Sequence, residues 1–143
     1  MDEIDLQILR ILKANSRTTS SDISKMIHLS VPSIAERIRK LEKNGVIDQF
    51  TVKLNRRAMG QHCIVYIFVQ LDGSAETHKF REAIVQSEHV LECHHTSGEY
   101  DYLLKVALAE ISELEGFIMH TLKANHNIVR SNTVFILSTL KEE

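Results

Sequence analysis

The sequence predicts an α+β protein in two parts, an N-terminal winged helix-turn-helix followed by a ferredoxin-like βαββαβ domain. Three observations lead there. Residues 20–41, SSDISKMIHLSVPSIAERIRKL, read as two short helices joined by a tight turn, the second basic on its outer side. Beyond residue 62 the apolar period alternates between 2 and 3.6 in the order strand, helix, strand, strand, helix, strand. Between them lies NRRAMGQ, polar and glycine-containing. The predicted organisation is a DNA-binding domain over residues 1–54, a linker over 55–61 and a second domain over 62–143.

In the first domain Asp2 is placed to cap a helix running to about Ala14, with Ile4, Ile8, Leu9, Ile11 and Leu12 on its apolar face. Thr19 is the candidate cap of the next helix, which points Ile23, Met26 and Ile27 inward and sets Asp22 at its dipole-positive end. Ser30 caps the third. Pro32 sits in that helix's first turn, where a missing N–H costs nothing. Ile34, Ile38 and Leu41 recur at i, i+4 and i+7 and face the core, with Ser33, Glu36, Arg37 and Lys40 opposite and Arg39 on the flank. Gly45 ends the helix in the left-handed region. Residues 46–54 alternate apolar and polar and predict a short hairpin, the wing, with Ile47, Phe50 and Val52 inside.

In the second domain residues 63–71 form a strand apolar on both faces, which predicts a sheet covered on both sides. Asp72, Gly73 and Ser74 turn the chain into a helix over residues 76–87, with Phe80, Ala83 and Ile84 inward. Strands follow over 90–96 and 102–108, joined by a turn at Ser97, Gly98 and Glu99. Ser112 and Glu115 have capping-box spacing and open a helix that buries Leu114, Phe117, Ile118 and Leu122. Asn125, His126 and Asn127 stop it, and residues 128–140 form a long last strand.

Charge is divided unevenly. Residues 1–57 carry eleven Lys and Arg against seven Asp and Glu, and the remainder six against twelve. A basic first part on an acidic second suits a polyanion partner bound by the first. No apolar run is long enough to span a bilayer, and the acidic start MDEIDLQ resembles neither a secretory signal nor a transit peptide, so a cytoplasmic protein is expected. Cys63 and Cys93 stand far apart and outline neither a disulfide framework nor a metal motif. Seven of the eight histidines lie from His62 onward. His94 and His95 are strand neighbours that point to opposite faces, and Cys93 with His95 offers only two ligands on one face, so no metal site is expected. No nucleophile–base pair, phosphate loop or cofactor motif occurs, and neither an enzyme nor a cofactor is expected.

The helix-turn-helix, the segment SVPSIAERIRKLEKNGVI and the segment ECHHTSGEYDYLLKV together resemble the Lrp/AsnC family, the feast/famine transcriptional regulators. The resemblance covers essentially the whole chain. It implies a winged helix joined to a ligand-sensing domain, dimers formed through that domain that assemble further to octamers, and double-stranded DNA as partner. It also implies an amino acid or similar small metabolite as effector, bound between dimers near a Gly-acidic-aromatic-Asp loop, here Gly98, Glu99, Tyr100 and Asp101. One departure is His28, in a turn where the family often has glycine.

The candidate DNA contacts are Ser33, Arg37 and Lys40 on the third helix, with Ser30, Arg39 and Lys53 as backbone contacts. The bland alternative is a solvated face with Glu36 and Lys40 as an i,i+4 pair. The candidate effector site is Thr96, Ser97, Gly98, Glu99, Tyr100 and Asp101. In it Ser97 and the loop N–H groups hold a carboxylate, Asp101 an ammonium, and Thr133 and Phe135 wall the pocket. An ordinary hairpin turn is the alternative there. For the whole chain the readings are a sequence-specific, ligand-responsive regulator, an architectural DNA-binding protein of the same fold without effector, or a small α+β enzyme or metabolite-binding module.

Overall fold

The computed structural model describes residues 1–73, 77–123 and 128–142. Ser74 in the first predicted turn, Glu76 at the predicted helix start and the helix stop at Asn125, His126 and Asn127 lie outside these residues. The chain divides into two compact units, Met1–Lys53 and Leu54–Glu143.

The first unit is built on three helices, α1 (Glu3–Ala14), α2 (Ser20–Ile27) and α3 (Val31–Lys43). Each begins on the residue its sequence provides. Asp2 and Asp5 form a reciprocal capping box, each carboxylate accepting the other's N–H at 2.9 Å. The Thr19 hydroxyl accepts from Asp22 N–H at 3.2 Å and Ser30 Oγ accepts from Ser33 N–H at 3.4 Å. Ile8, Leu12, Ile23, Ile34 and Leu41 make a shared core, with Ile38 and Ile47 packed at its edge. Met26, predicted inward, is 59% exposed, because Ile23 and Ile27 already fill the side of this two-turn helix that meets the core. His28 between α2 and α3 has φ 60 and ψ 41, the one non-glycine with positive φ among the described residues.

The predicted wing hairpin is not formed. Among the described residues, none between Lys43 and Cys63 lies in a strand, and Phe50 and Val52, expected inside, are 48% and 79% exposed. Alternation specifies a strand only where a partner strand and a face to bury exist. None of the described strands pairs with this stretch.

The second unit carries β1 (Cys63–Leu71), α4 (Thr77–Gln86), β2 (Val90–His95), β3 (Tyr102–Leu108), α5 (Glu113–Gly116) with a π-helical continuation Phe117–Leu122, and β4 (Ile128–Phe135). The sheet is antiparallel in the order β2-β3-β1-β4, the ferredoxin-like arrangement. Val65, Ile67 and Val69 of β1 with Leu104 and Val106 of β3 meet Phe80, Ile84, Phe117 and Leu122 from the helices. The other face, with Ile64, Tyr66, Phe68 and Leu103, is half-buried. Lys105 on that face is 9% exposed and held by Glu92 at 3.2 Å and by Glu142.

Three local expectations are corrected. Ala83 is exposed, since Phe80 and Ile84 alone carry α4's contact. Ser112 does not cap: its φ and ψ are helical, −60 and −25, so its hydroxyl cannot reach forward, and Glu113 instead accepts from Ala109 N–H at 3.0 Å. The last strand ends at Phe135, opposite Val65, with one further bond from Ile136 N–H to Ile64 C=O at 3.1 Å, and does not run on to residue 140. Leu137 and Leu140 after it are 90% and 97% exposed.

Candidate DNA-reading helix and effector loop

Helix α3 is amphipathic by construction. With Ile34 and Leu41 buried, Ser33, Arg39 and Lys40 are left exposed on the outer side, and Arg37 on the flank facing α1. Ser30 and Ser33 sit at the helix N-terminus with their hydroxyls 2.8 Å apart, at the positive end of the helix dipole. Arg39 makes a two-pronged bond to Glu36 at 2.9 and 2.8 Å, and Lys40 lies 3.8 Å from the same carboxylate. The Arg39 guanidinium is the chief reason the Glu36 carboxyl is held below its ordinary range.

Arg37 does something the sequence did not announce. Its guanidinium bridges Asp2 at 2.8 Å and Asp5 at 2.7 Å, with the Asp5 side chain only 15% exposed. It ties the capping box of α1 to the middle of α3. Both carboxyls are held below their ordinary range, first by each other's backbone N–H and then by Arg37. Of the other expected contacts, Lys53 is the last residue of the first unit and lies off the helix.

In the second unit the loop 96–101 joins β2 to β3 and is stapled from within. Thr96 N–H donates to Asp101 C=O at 2.8 Å and Thr96 Oγ1 donates to Tyr100 C=O at 2.6 Å. Asp101 ties the loop to β1: its N–H donates to Val69 C=O at 2.9 Å and its Oδ2 accepts Leu71 N–H at 2.7 Å. That carboxylate completes the end of β1 where the pairing with β4 slips between Gln70 and Leu71. Ser97, Gly98 and Glu99 are exposed, and nothing lies within 4 Å of a Cβ built on Gly98.

Tyr100 folds onto the half-buried face, its ring centroid 5.5 Å from that of Phe68. Arg130 of β4 lies over it, 5.2 Å from ring centroid to guanidinium carbon, and pairs with Glu99. Arg130 was missed by sequence reasoning. Its sole signal was its place near the start of the last strand. Thr133 and Phe135, predicted to wall this pocket, pair with Ile67 and Val65 and share their side, the helix-covered one. Strand side chains alternate, so within one chain these two face away from Tyr100, and Arg130, Asn132 and Val134 face toward it.

Among the described residues no group of three His, Cys, Asp or Glu is placed to hold a metal ion, and no helix is long and apolar enough to cross a membrane. Burial raises the thiol of Cys93 and of Cys63 above the ordinary value.

A helix-turn-helix unit in one chain with a ferredoxin-like sheet that carries a stapled loop defines a class: DNA-binding regulators with a ligand-binding domain. The comparisons agree. Residues 63–143 match the family model for the Lrp/AsnC ligand binding domain and residues 1–48 that for a winged helix-turn-helix DNA-binding unit. The HTH-type transcriptional regulator FL11 of Pyrococcus abyssi is 30% identical over 99% of this chain and 93% of its own. The leucine-responsive regulatory protein of Escherichia coli is 29% identical over 99% of this chain and 88% of its own. Among solved structures, a Neisseria meningitidis regulator in complex with L-Met superposes with a TM-score of 0.93 at 25% identity, covering 99% of this chain and 93% of its own. LrpC of Bacillus subtilis does so with 0.90 at 27%, covering 100% and 99%. The chain belongs to the Lrp/AsnC family of transcriptional regulators. It is a DNA-binding regulator with an effector-binding domain and not an enzyme.

Proposed function

We propose that this protein is a sequence-specific regulator whose DNA-bound state is set by an amino acid or similar small metabolite held at loop 96–101, between dimers that assemble further. The observation that carries the reading is that loop: Thr96 and Asp101 staple it at one end of the sheet while Ser97 and Gly98 stay exposed beside the Glu99–Arg130 pair. Two relatives support an amino acid, one named as leucine-responsive and one solved with L-Met. The relatives reported are transcriptional regulators by name, which favours the ligand-responsive reading over an architectural one. A DNA target makes the cytoplasm its place of action.

On DNA, Ser30, Ser33, Arg39 and Lys40 are the contacts of α3, with Lys53 as a backbone contact, and Arg37 holds the helix in place. Glu36 repels phosphate and restrains Arg39 and Lys40 in the free protein. Contact with a phosphate frees them and makes binding salt-dependent, with a log–log slope of about −0.9 per phosphate neutralised. Lys40→Ala is expected to weaken operator binding and reduce that slope by about one contact. An unchanged slope would remove Lys40 from the interface. For the effector, a thermal melt against each of the twenty amino acids is the direct test. A ligand at a hundred times its Kd adds about 2.7 kcal/mol. No shift with any of them would refute an amino acid effector.

A further inference from the structure

Glu36 stands where an acid is hardest to reconcile with DNA binding. Ile34, Ile38 and Leu41 face the core, and Glu36, midway between the first two, lies about 180° round the helix from them. Arg39 and Lys40, at i+3 and i+4, lie to either side of it. Arg39 bonds its two oxygens at 2.9 and 2.8 Å, and Lys40 stands 3.8 Å away. The outer stripe of α3 is thus a half-exposed carboxylate flanked by two exposed cations. Exposed helical pairs of this kind add little stability, so the fold does not need Glu36. A helix lying in the major groove turns its flanks to the phosphate walls and the centre of its outer side to the base edges. Glu36 holds that centre.

We propose that Glu36 reads a base: its carboxylate accepts from the N4 amino group of a cytosine and so selects one C·G pair in each half-site. The inference rests on the reading of α3 as a sequence-specific DNA contact. Its basis is the count of donors and acceptors. An ionised carboxylate has acceptors only, and Arg39, with Lys40 behind it, keeps this one ionised. In the major groove guanine and thymine present acceptor atoms, which repel it. Adenine sets its N6 amino group beside the N7 acceptor. Cytosine presents a donor with no acceptor of its own. The paired guanine offers O6 and N7 to Arg39 or Lys40, so the charged side chains and the C·G edge match group for group.

The test uses the full-length protein. Wild type, Glu36→Gln and Glu36→Ala each select a motif from a pool of random duplexes, and sheared bulk DNA measures non-specific affinity. Wild type is expected to prefer cytosine at one position of each half-site by at least about fivefold. Glu36→Ala should lose that preference and keep the rest of the motif. Glu36→Gln should exchange it for adenine, whose N6 and N7 a glutamine amide meets with an acceptor and a donor. Both should bind bulk DNA at least as tightly as wild type, since a charge that repels phosphate is gone, an outcome that misfolding would not give. If the variants select the wild-type motif unchanged, Glu36 only restrains its neighbours, and the inference fails while the sequence-specific reading stands. It fails in the same way if every position relaxes together or if either variant no longer binds bulk DNA. If wild type selects no motif, both fail.

Discussion

Arg37 shows how one side chain changes its meaning between sequence and structure. Its place on the outer stripe of α3 suggested DNA, and its distances of 2.8 and 2.7 Å to Asp2 and Asp5 make it a tie between helices. Arg37→Ala is expected to lower the thermal midpoint of the full-length protein by a few degrees, and Lys40→Ala to leave it unchanged. Asp2 and Asp5 titrate below their unfolded values, so what they contribute is present above about pH 4 and lost as pH falls through their folded values. The stability gap between wild type and Asp5→Asn should therefore narrow as pH is lowered from 7 to 2.5, and a constant gap would contradict this account. His28 supplies a change of opposite sign. At φ 60 a side chain strains against its own backbone, and glycine does not. His28→Gly should stabilise by about 0.5–1 kcal/mol in denaturant titration, after the loss to unfolded-state entropy.

At the level of elements, caps separate what a motif suggests from what a turn permits. Asp2, Thr19 and Ser30 cap because each has extended backbone, with ψ of −179, 155 and 147. Ser112 has the capping-box partner at the right spacing but already lies in helical conformation. The N–H of Ala109 is met by Glu113. Ser112→Ala should thus change stability by less than about 0.5 kcal/mol, well below the cost of an effective cap, while Glu113→Ala, which orphans that N–H, should cost about 1 kcal/mol. The reverse ranking by chemical denaturation would show that Ser112 caps after all. The π-helical continuation has a packing reason: a wider turn brings both Phe117 and Leu122 into the core, at 5% and 0% exposure.

For the whole molecule, the sheet face that its own helices leave uncovered is the surface the proposed assembly calls on. Tyr66, Phe68 and Leu103 are half-buried in one chain, and Val134 is 46% exposed. If dimers form through this domain, Val134→Asp should shift sedimentation toward monomer and weaken operator binding, because two half-sites are then no longer read together. A variant that stays dimeric would place the interface elsewhere. How legible all this was follows from range. The strand boundaries of β1 and β3 and the order of all elements followed from local period, whereas the wing and the end of β4 did not, since a strand exists only with a partner whose position is not local information.

The sequence by itself determined the starts of α1, α2 and α3, the apolar stripes of α1 and α3, and the turn between β2 and β3, because each depends on residues a few positions apart. Tertiary structure decided the rest. It turned Arg37 to an acidic pair thirty-two and thirty-five residues away, bonded one Asp101 oxygen to Leu71, and set Thr133 and Phe135 on the side of the sheet opposite Tyr100. It also brought Arg130 to Glu99 across thirty-one residues. Periodicity tells which face of an element is apolar. Only the packed register tells which charged group finds which partner, and at this protein's candidate sites those partners define the chemistry.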